Sequence, residues 1–497
     1  MKQNISKMMI TPTALVINTY FCSFLRALLL RVDLLWLQLY YFATLFVFGF
    51  FVLANLEPRN PLHRPKNYDL FFTSVSAATV SSMATVEMEV FSNTQLFVLA
   101  ILMLLGGEVF TSMLELQIKR FKLLETNKAH FNSNGSTDLE NDSNSSKSNT
   151  ELTYNSMKFL GFIVLIYFLT VHTGSFILVS LYINLVPSAK QVLSNKGLNI
   201  PVFSIVTIIS AFANGGFLPT NESMTVFKKD SGLLLILIPI VLAGNTLYPV
   251  FLRIILLILR KVSNTEELEY VLKNHSELGY SHLLSGVRCR FLGLTSIGFI
   301  CVQFVLLIYM EWKSEIMEGL NPLEKVIGSL FQVVNTRHTG ESVFDLSLVS
   351  PAIIVLFATL MYLPPYTYIL PREDKDSKCN EEQKKGLIGF MMVSPITLLI
   401  IGIMLICISE ADNMHKDPLN FSVLNIIFEV ISGYGNVGFS LGYSCKRQLQ
   451  PDGNCKDAWY GFAGRWNNFS KLILIVVMIF GRLQKILKDG SKAWKLS

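Results

Sequence analysis

Long apolar runs alternate along the chain with polar connections and with shorter, moderately apolar stretches. Crossing a bilayer as a helix takes about 20 apolar residues. Eight segments reach that length, at 33–54, 95–117, 157–187, 232–260, 291–311, 348–371, 387–409 and 470–487. Several carry residues that bend or polarise a helix: Gly106, Gly107 and Glu108, then Asn245 with Pro249, then Pro364 with Pro365. The four odd-numbered connections each hold a stretch too short to span: FFTSVSAATVSS (71–82), FSIVTIISAFANGG (203–216), GSLFQVVNTRHTG (328–340) and IFEVISGYGNVG (427–438). Re-entrant segments have this length.

The short stretches share a register. Ser76, Ser210 and Ser432 stand six residues before Ser82, Gly216 and Gly438, and Gly340 ends the third stretch after Asn335, Arg337 and His338. Non-helical backbone at membrane depth is tolerated only where it is buried or lines a water-filled path. Four such stretches, each between two spans, predict a ring about one axis. Glycine at each tip allows a backbone turn closed to other residues, and rings of backbone carbonyls replace the hydration shell of a monovalent cation.

Composition agrees with a membrane solvent. Of 497 residues, 51% are hydrophobic and 16% charged, against about 25% charged in soluble domains. This excludes a cytosolic enzyme, a secreted disulfide scaffold and a nucleic-acid binder. Residues 13–32 are apolar but broken by Arg26 and Arg31, which predicts an interfacial helix rather than a cleaved signal peptide. With both termini inside, the termini and even connections hold 26 Lys and Arg against 16 in the odd ones, where 18 Asp and Glu outnumber them. That sign obeys the positive-inside rule. In residues 131–150, 13 are Asn, Ser or Thr, so a disordered cytosolic loop is expected over 118–156.

At TVSSMATVEMEV (79–90), FANGGFLPTNESM (212–224), NTRHTGES (335–342) and SGYGNVGFSLGYSC (432–445) the chain resembles the plant high-affinity potassium transporter (HKT) family, within the Trk/Ktr/HKT superfamily of cation transporters. AGNTLYPVFLR (243–253), MYLPPY (361–366) and GRLQK (481–485) agree. The resemblance covers nearly the whole chain, and is weakest before residue 30 and in the 118–156 linker. It implies an all-α polytopic membrane protein with eight transmembrane helices, arranged as four membrane-pore-membrane repeats around one pore. The repeats would be 33–117, 157–260, 291–371 and 387–487. Cytosolic segments 1–32, 118–156, 261–290, 372–386 and 488–497 would flank and join them. It also implies a homodimer with one pore per subunit, in the lipid bilayer of the plasma membrane.

Carried over by motif, the ion selectivity filter is Ser82, Gly216, Gly340 and Gly438, holding Na+ or K+ through backbone carbonyls. Aligning TVSSM on the potassium-channel TVGYG would instead place Ser81 at the first glycine; the internal serine register favours Ser82. A serine among three glycines breaks the ring's equivalence, and filter-serine members resemble sodium-preferring transporters. Asp230, before the fourth span, is expected near the outer mouth, where a carboxylate raises local cation concentration and would widen selectivity toward K+. A solvated carboxylate paired with Lys228 or Lys229 is the alternative. Glu87 and Glu89 have the same two readings, attraction of cations or local capping and packing. Glu108 and His172 lie inside spans and are expected to be satisfied structurally. Arg482 corresponds to a family arginine that projects toward the path beneath the filter, a barrier to cations; snorkelling to the inner surface is the alternative. Arg337 and His338 are expected to brace the third loop.

Cys445 and Cys455 share the last external connection and are a candidate disulfide, while Cys22, Cys289, Cys301, Cys379 and Cys407 are expected free. Asn221, Asn420 and Asn468 begin sequons predicted to be external. The implied activity is passive transport of monovalent cations, Na+ first and K+ possibly admitted, without a cofactor and without nucleic acid. A K+ transporter or Na+/K+ symporter is the same-class alternative. An integral membrane enzyme is disfavoured, because seven scattered histidines form no HExxH or histidine box, and GxxxxGK[ST] is absent.

Overall fold

The computed structural model describes residues 34–487 apart from 62–63, 134–139, 264, 276, 365, 368–393, 450–452 and 454, with backbone alone at 34–35 and 126–150. The expectations for residues 1–32, 372–386 and 488–497, and for Cys22 and Cys379, lie outside that set. Among the described residues the regular elements are all helical.

They follow one another in four similar groups. The first holds α1 (Leu34–Asn55), the short α2 (Asn67–Ala78), α3 (Asn93–Gly106) and α4 (Glu108–Ser133). The second holds α5 (Glu140–Leu185), α6 (Pro187–Asn195), α7 (Ile200–Ala213), α8 (Ser231–Ala243) and α9 (Tyr248–Val262), followed by a separate α10 (Glu266–Lys273). The third holds α11 (Gly286–Glu311), α12 (Pro322–Asn335) and α13 (Pro351–Tyr362). The fourth holds α14 (Pro395–Ser409), α15 (Ala411–Lys416), α16 (Val423–Tyr434) and α17 (Asn468–Leu487).

Among the described residues three helices are long and apolar enough to cross a membrane: Trp36–Asn55, Glu151–Leu185 and Gly286–Glu311. Three more candidates are bent pairs: α3 with α4 (52°), α6 with α7 (100°) and α8 with α9 (83°). The helices turn Phe48, Phe51, Ile177, Leu178, Leu294 and Val305 outward, each more than half exposed. Apolar surface in such continuous bands needs an apolar solvent, as expected of a multi-pass membrane protein.

The short helices α2, α7, α12 and α16 have 12, 14, 14 and 12 residues. At 1.5 Å per residue they reach about 18–21 Å, short of the roughly 30 Å hydrocarbon core. Their starts are marked in sequence: Asn321 and Glu324 form a capping box on α12, and Ser422 accepts the Asn425 N–H on α16. The flanking helices are pinned in a repeated manner. Glu311, closing α11, accepts the Ser350 N–H ahead of α13, and Glu410, after α14, accepts the Asn467 N–H ahead of α17, both at 2.8 Å. Close approach between flanking and short helices rests on glycine. A Cβ at Gly106, Gly244 or Gly481 would strike the carbonyl oxygen of Ala78, Phe212 or Tyr434, at or beside the end of α2, α7 or α16.

One expectation about the connections changes. The 118–156 linker is helical up to Ser133 and again from Glu140, because IKRFKLLETNK (118–128) is rich in helix formers that extend an existing helix at little cost. Asn420 is fully buried: its side-chain amide donates to Asp417 and the Ser444 carbonyl and accepts the Ser444 N–H, leaving no room for a glycan.

Candidate functional site

Three to five residues beyond each short helix the backbone turns left-handed, at Ser82 (φ +58°), Gly216 (+63°), Gly340 (+62°) and Gly438 (+98°). These four residues form a closed ring. A Cβ at Gly216 would meet Ser82 Oγ on one side and the Thr339 carbonyl on the other. A Cβ at Gly340 would meet the Val437 carbonyl, and one at Gly438 would meet Ser82 Cβ. Only one side chain fits the ring, and Ser82 supplies it. The three glycines keep partial access to solvent within a buried shell, and Ser82 is 8% exposed. Its hydroxyl has no partner among the protein atoms. The C-terminal ends of all four short helices lie a few residues from this ring, and helix C-termini carry about half a negative charge each.

The Ser81 and Ser82 alternatives separate here. Ser81 is fully buried in the wall, where its hydroxyl meets Thr79 Oγ1 and accepts from Asn436 Nδ2, both at 2.7 Å. Ser82 alone has the left-handed φ of the three glycines. A left-handed serine costs about 1–2 kcal/mol, and such strain persists where the surroundings over-determine it. Val80, Asn214 and Asn436, two residues before Ser82, Gly216 and Gly438, are left-handed as well. Asparagine is several-fold enriched in that conformation, which suits Asn214 and Asn436, whereas a valine such as Val80 carries no such signal.

The serine register also acquires a cause. Ser76 Oγ accepts the Met83 N–H at 2.8 Å, and Ser432 Oγ accepts the Gly438 N–H at 3.0 Å, so the first and fourth short helices hold their own ring strands. Neighbouring strands are laced together as well. The Glu89 N–H donates to Asn221 Oδ1, the Met224 N–H to the Ser342 carbonyl, and the Gly461 N–H to the Ala84 carbonyl.

Beside the ring, the acidic candidates are already engaged. Lys196 Nζ contacts both Glu89 and Glu222 at 2.6 Å. Burial acts to lower the Lys196 pKa, but hydrogen bonds and charge from Glu222 and Glu89 outweigh it, and the net shift is upward. Glu87 accepts the Trp459 N–H at 3.1 Å and lies 3.5 Å from Asn221 Nδ2. Asp230 is 5% exposed rather than solvated, precedes α8, and accepts from Ser188 Oγ on α6 at 2.5 Å. A single lysine in a loop, such as Lys196, has no sequence signature. Asn221, bonded to Glu89 and Glu87, is held too closely for a glycan.

Arg482 does not reach a surface. It is 2% exposed, donates to the Gly106 carbonyl at the α3–α4 bend, and lies over the Phe42 ring. It borders a cavity of about 370 Å³ shared with Tyr41, Glu108, His282, Tyr366 and Lys485. Glu108 is half-buried and accepts from Tyr366 OH at 2.9 Å through Oε1, while its Oε2 has no partner among the protein atoms; Tyr366 also meets His282. Arg337 donates to the Pro364 carbonyl and His338 contacts the Val334 carbonyl, the bracing expected of both. Cys445 and Cys455 are joined by a disulfide, and Cys289, Cys301 and Cys407 are free. Among the described residues no cluster of His, Cys, Asp and Glu is arranged as a metal centre.

Known proteins share this chain's pattern. The family described as TrkH, "Cation transport protein", matches residues 27–367 and 383–487. The chain is 48% identical to "Sodium transporter HKT1" of Arabidopsis thaliana, covering 89% of this chain and 91% of that one. It is 46% identical to "Cation transporter HKT1;3" of Oryza sativa subsp. japonica, covering 93% and 91%. A 27% identity to "High-affinity potassium transport protein" of Saccharomyces uvarum covers 66% of this chain and 31% of that one. In fold it is similar to the potassium transporter TrkH from Vibrio parahaemolyticus, with a TM-score of 0.52 and 14% identity over 91% of this chain and 83% of that one. The ring of left-handed residues at four helix ends is therefore carried by a member of the TrkH cation transport family, a cation transporter of the HKT type and not an enzyme.

Proposed function

We propose that this chain is a pore for passive Na+ transport across the plasma membrane, with Ser82, Gly216, Gly340 and Gly438 as its selectivity filter. The observation that carries the reading is the left-handed Ser82 closing a ring with three glycines, its hydroxyl unpartnered. One ring position then differs from the other three in shape and polarity, which disfavours a coordination shell tuned to K+. Backbone carbonyls of the four strands supply the ion's ligands. The membrane potential drives entry, at about 2.3 kcal/mol per charge per 100 mV.

The four helix groups support eight spans in four membrane-pore-membrane units, and the excess of Lys and Arg in the termini and even connections supports both ends in the cytosol. Arg482, buried with Glu108 in the 370 Å³ cavity, is the cation barrier on the far side of the filter. Glu87 and Glu89 belong to the outer mouth, where their charge is shared with Asn221 and Lys196. Assembly as a homodimer with one pore per subunit follows the family resemblance. A second reading, K+ transport or Na+/K+ symport, draws on the relatives named for potassium and on Asp230, whose charge sits between α6 and α8 rather than in the ring.

The test is a reversal-potential measurement in voltage-clamped cells expressing the chain, with external Na+ exchanged for K+. A large negative shift in K+ supports the sodium pore. An unchanged reversal potential gives first place to the second reading. Absence of any cation current overturns both.

A further inference from the structure

The four ring strands are not held alike, and the exception lies between the second and third. In the first and fourth units the serine of the short helix receives an N–H from its own strand. In the second unit Ser210 stands at the same register but points elsewhere: its hydroxyl donates to Glu341 Oε1 at 3.2 Å. Glu341 belongs to the third unit and follows the ring residue Gly340 directly. Its side chain is fully buried, and Oε2 has no partner among the protein atoms.

The strand bearing Glu341 is pinned on both sides of it. The Gly340 N–H donates to the Asn335 carbonyl, and Gln332 Oε1 accepts the N–H groups of Val343 and Phe344. The Ser342 N–H donates to Ser223 Oγ of the second unit. Within this frame the Ser210–Glu341 bond is the side-chain tie between the second short helix and the third ring strand. Gly216 and Gly340 are neighbours through the Thr339 carbonyl, so a change in that tie moves two of the four ring positions together.

We infer that Glu341 is a selectivity-positioning residue, whose carboxyl sets the separation of the second and third ring strands through the Ser210 hydroxyl. The role is one of hydrogen bonding, and a full negative charge at residue 341 is not required for it. Enclosing a carboxylate without a cationic partner is costly, and a hydrogen-bonded acceptor at this depth is kept for a geometric purpose. The inference rests on the filter reading given above.

The test compares Na+ to K+ permeability ratios for the full chain in voltage-clamped cells, with surface protein quantified by biotinylation. Glu341→Ala and Ser210→Ala each remove the tie, and each is expected to move the ratio toward unity by at least about threefold. The double variant is expected to go no further than either single one, as coupled residues do. Glu341→Gln keeps an acceptor for Ser210 and is expected to retain the parental ratio. A merely structural role would lower current in proportion to surface protein without moving the ratio, and that result overturns the inference. Additive single effects, or a Glu341→Gln variant that behaves like Glu341→Ala, overturn it too, the latter by showing that charge is what counts. Should Glu341→Ala fail to reach the surface, the milder Ser210→Ala decides. Loss of the filter reading itself would appear differently, as a parental protein with no selective cation current at all.

Discussion

Replacing Ser82 with glycine is the perturbation whose size the structure sets most directly. Ser82 is held at φ +58°, and its side chain fills the place where a Cβ on Gly216 or Gly438 would otherwise collide. Holding a non-glycine residue there costs about 1–2 kcal/mol, and this is the scale of energy that the ring position has available to distinguish two ions. One to two kcal/mol corresponds to a factor of about 5–30. At roughly 59 mV per tenfold for a monovalent ion, Ser82→Gly should move the reversal potential in external K+ by about 40–90 mV toward its value in Na+. Ser82→Ala separates the two contributions, since it keeps the Cβ and the strained φ but loses the unpartnered hydroxyl. If the Cβ and backbone matter most, the alanine variant stays sodium-selective; if the hydroxyl does, it follows the glycine variant. A Ser82→Gly protein with normal surface abundance and an unmoved reversal potential would refute the argument that this ring position controls selectivity.

Arg482→Gln removes a buried positive charge from the 370 Å³ cavity and should raise cation current per surface molecule; unchanged current removes Arg482 from the barrier role. Lys196→Met frees Glu89 and Glu222, so the half-saturating Na+ concentration should fall at low ionic strength and return to parental at high salt, where the field is screened. Because the Lys196 pKa is raised, its ion pairs contribute fully below the usual lysine value and are lost only as pH rises through the raised one. Parental and Lys196→Met currents should therefore keep a constant ratio from about pH 6 to 9, and a step within that window would contradict the assignment. Asp230→Asn keeps an acceptor for Ser188 while deleting a charge, and should lower K+ current; untouched K+ current takes Asp230 out of ion selection.

Hydrophobic patterning by itself determined the membrane class, the positions of the short helices and the tips on which the ring is built. Those features depend on local length and on glycine, and both are written residue by residue. The repeated serine was legible too, though as a bare coincidence of spacing. The tertiary structure separated Ser81 from Ser82, since adjacent serines look alike in sequence while only one has a left-handed φ and faces the glycines. It also supplied the partners of Glu87, Glu89 and Asp230, for which the sequence left cation attraction and local pairing both open; those partners lie 42 to 372 residues away in sequence. Most of all, it placed Glu341 against Ser210 across 131 residues. A carboxylate's role depends on what encloses it, and no local pattern encodes an enclosure assembled from four separate units.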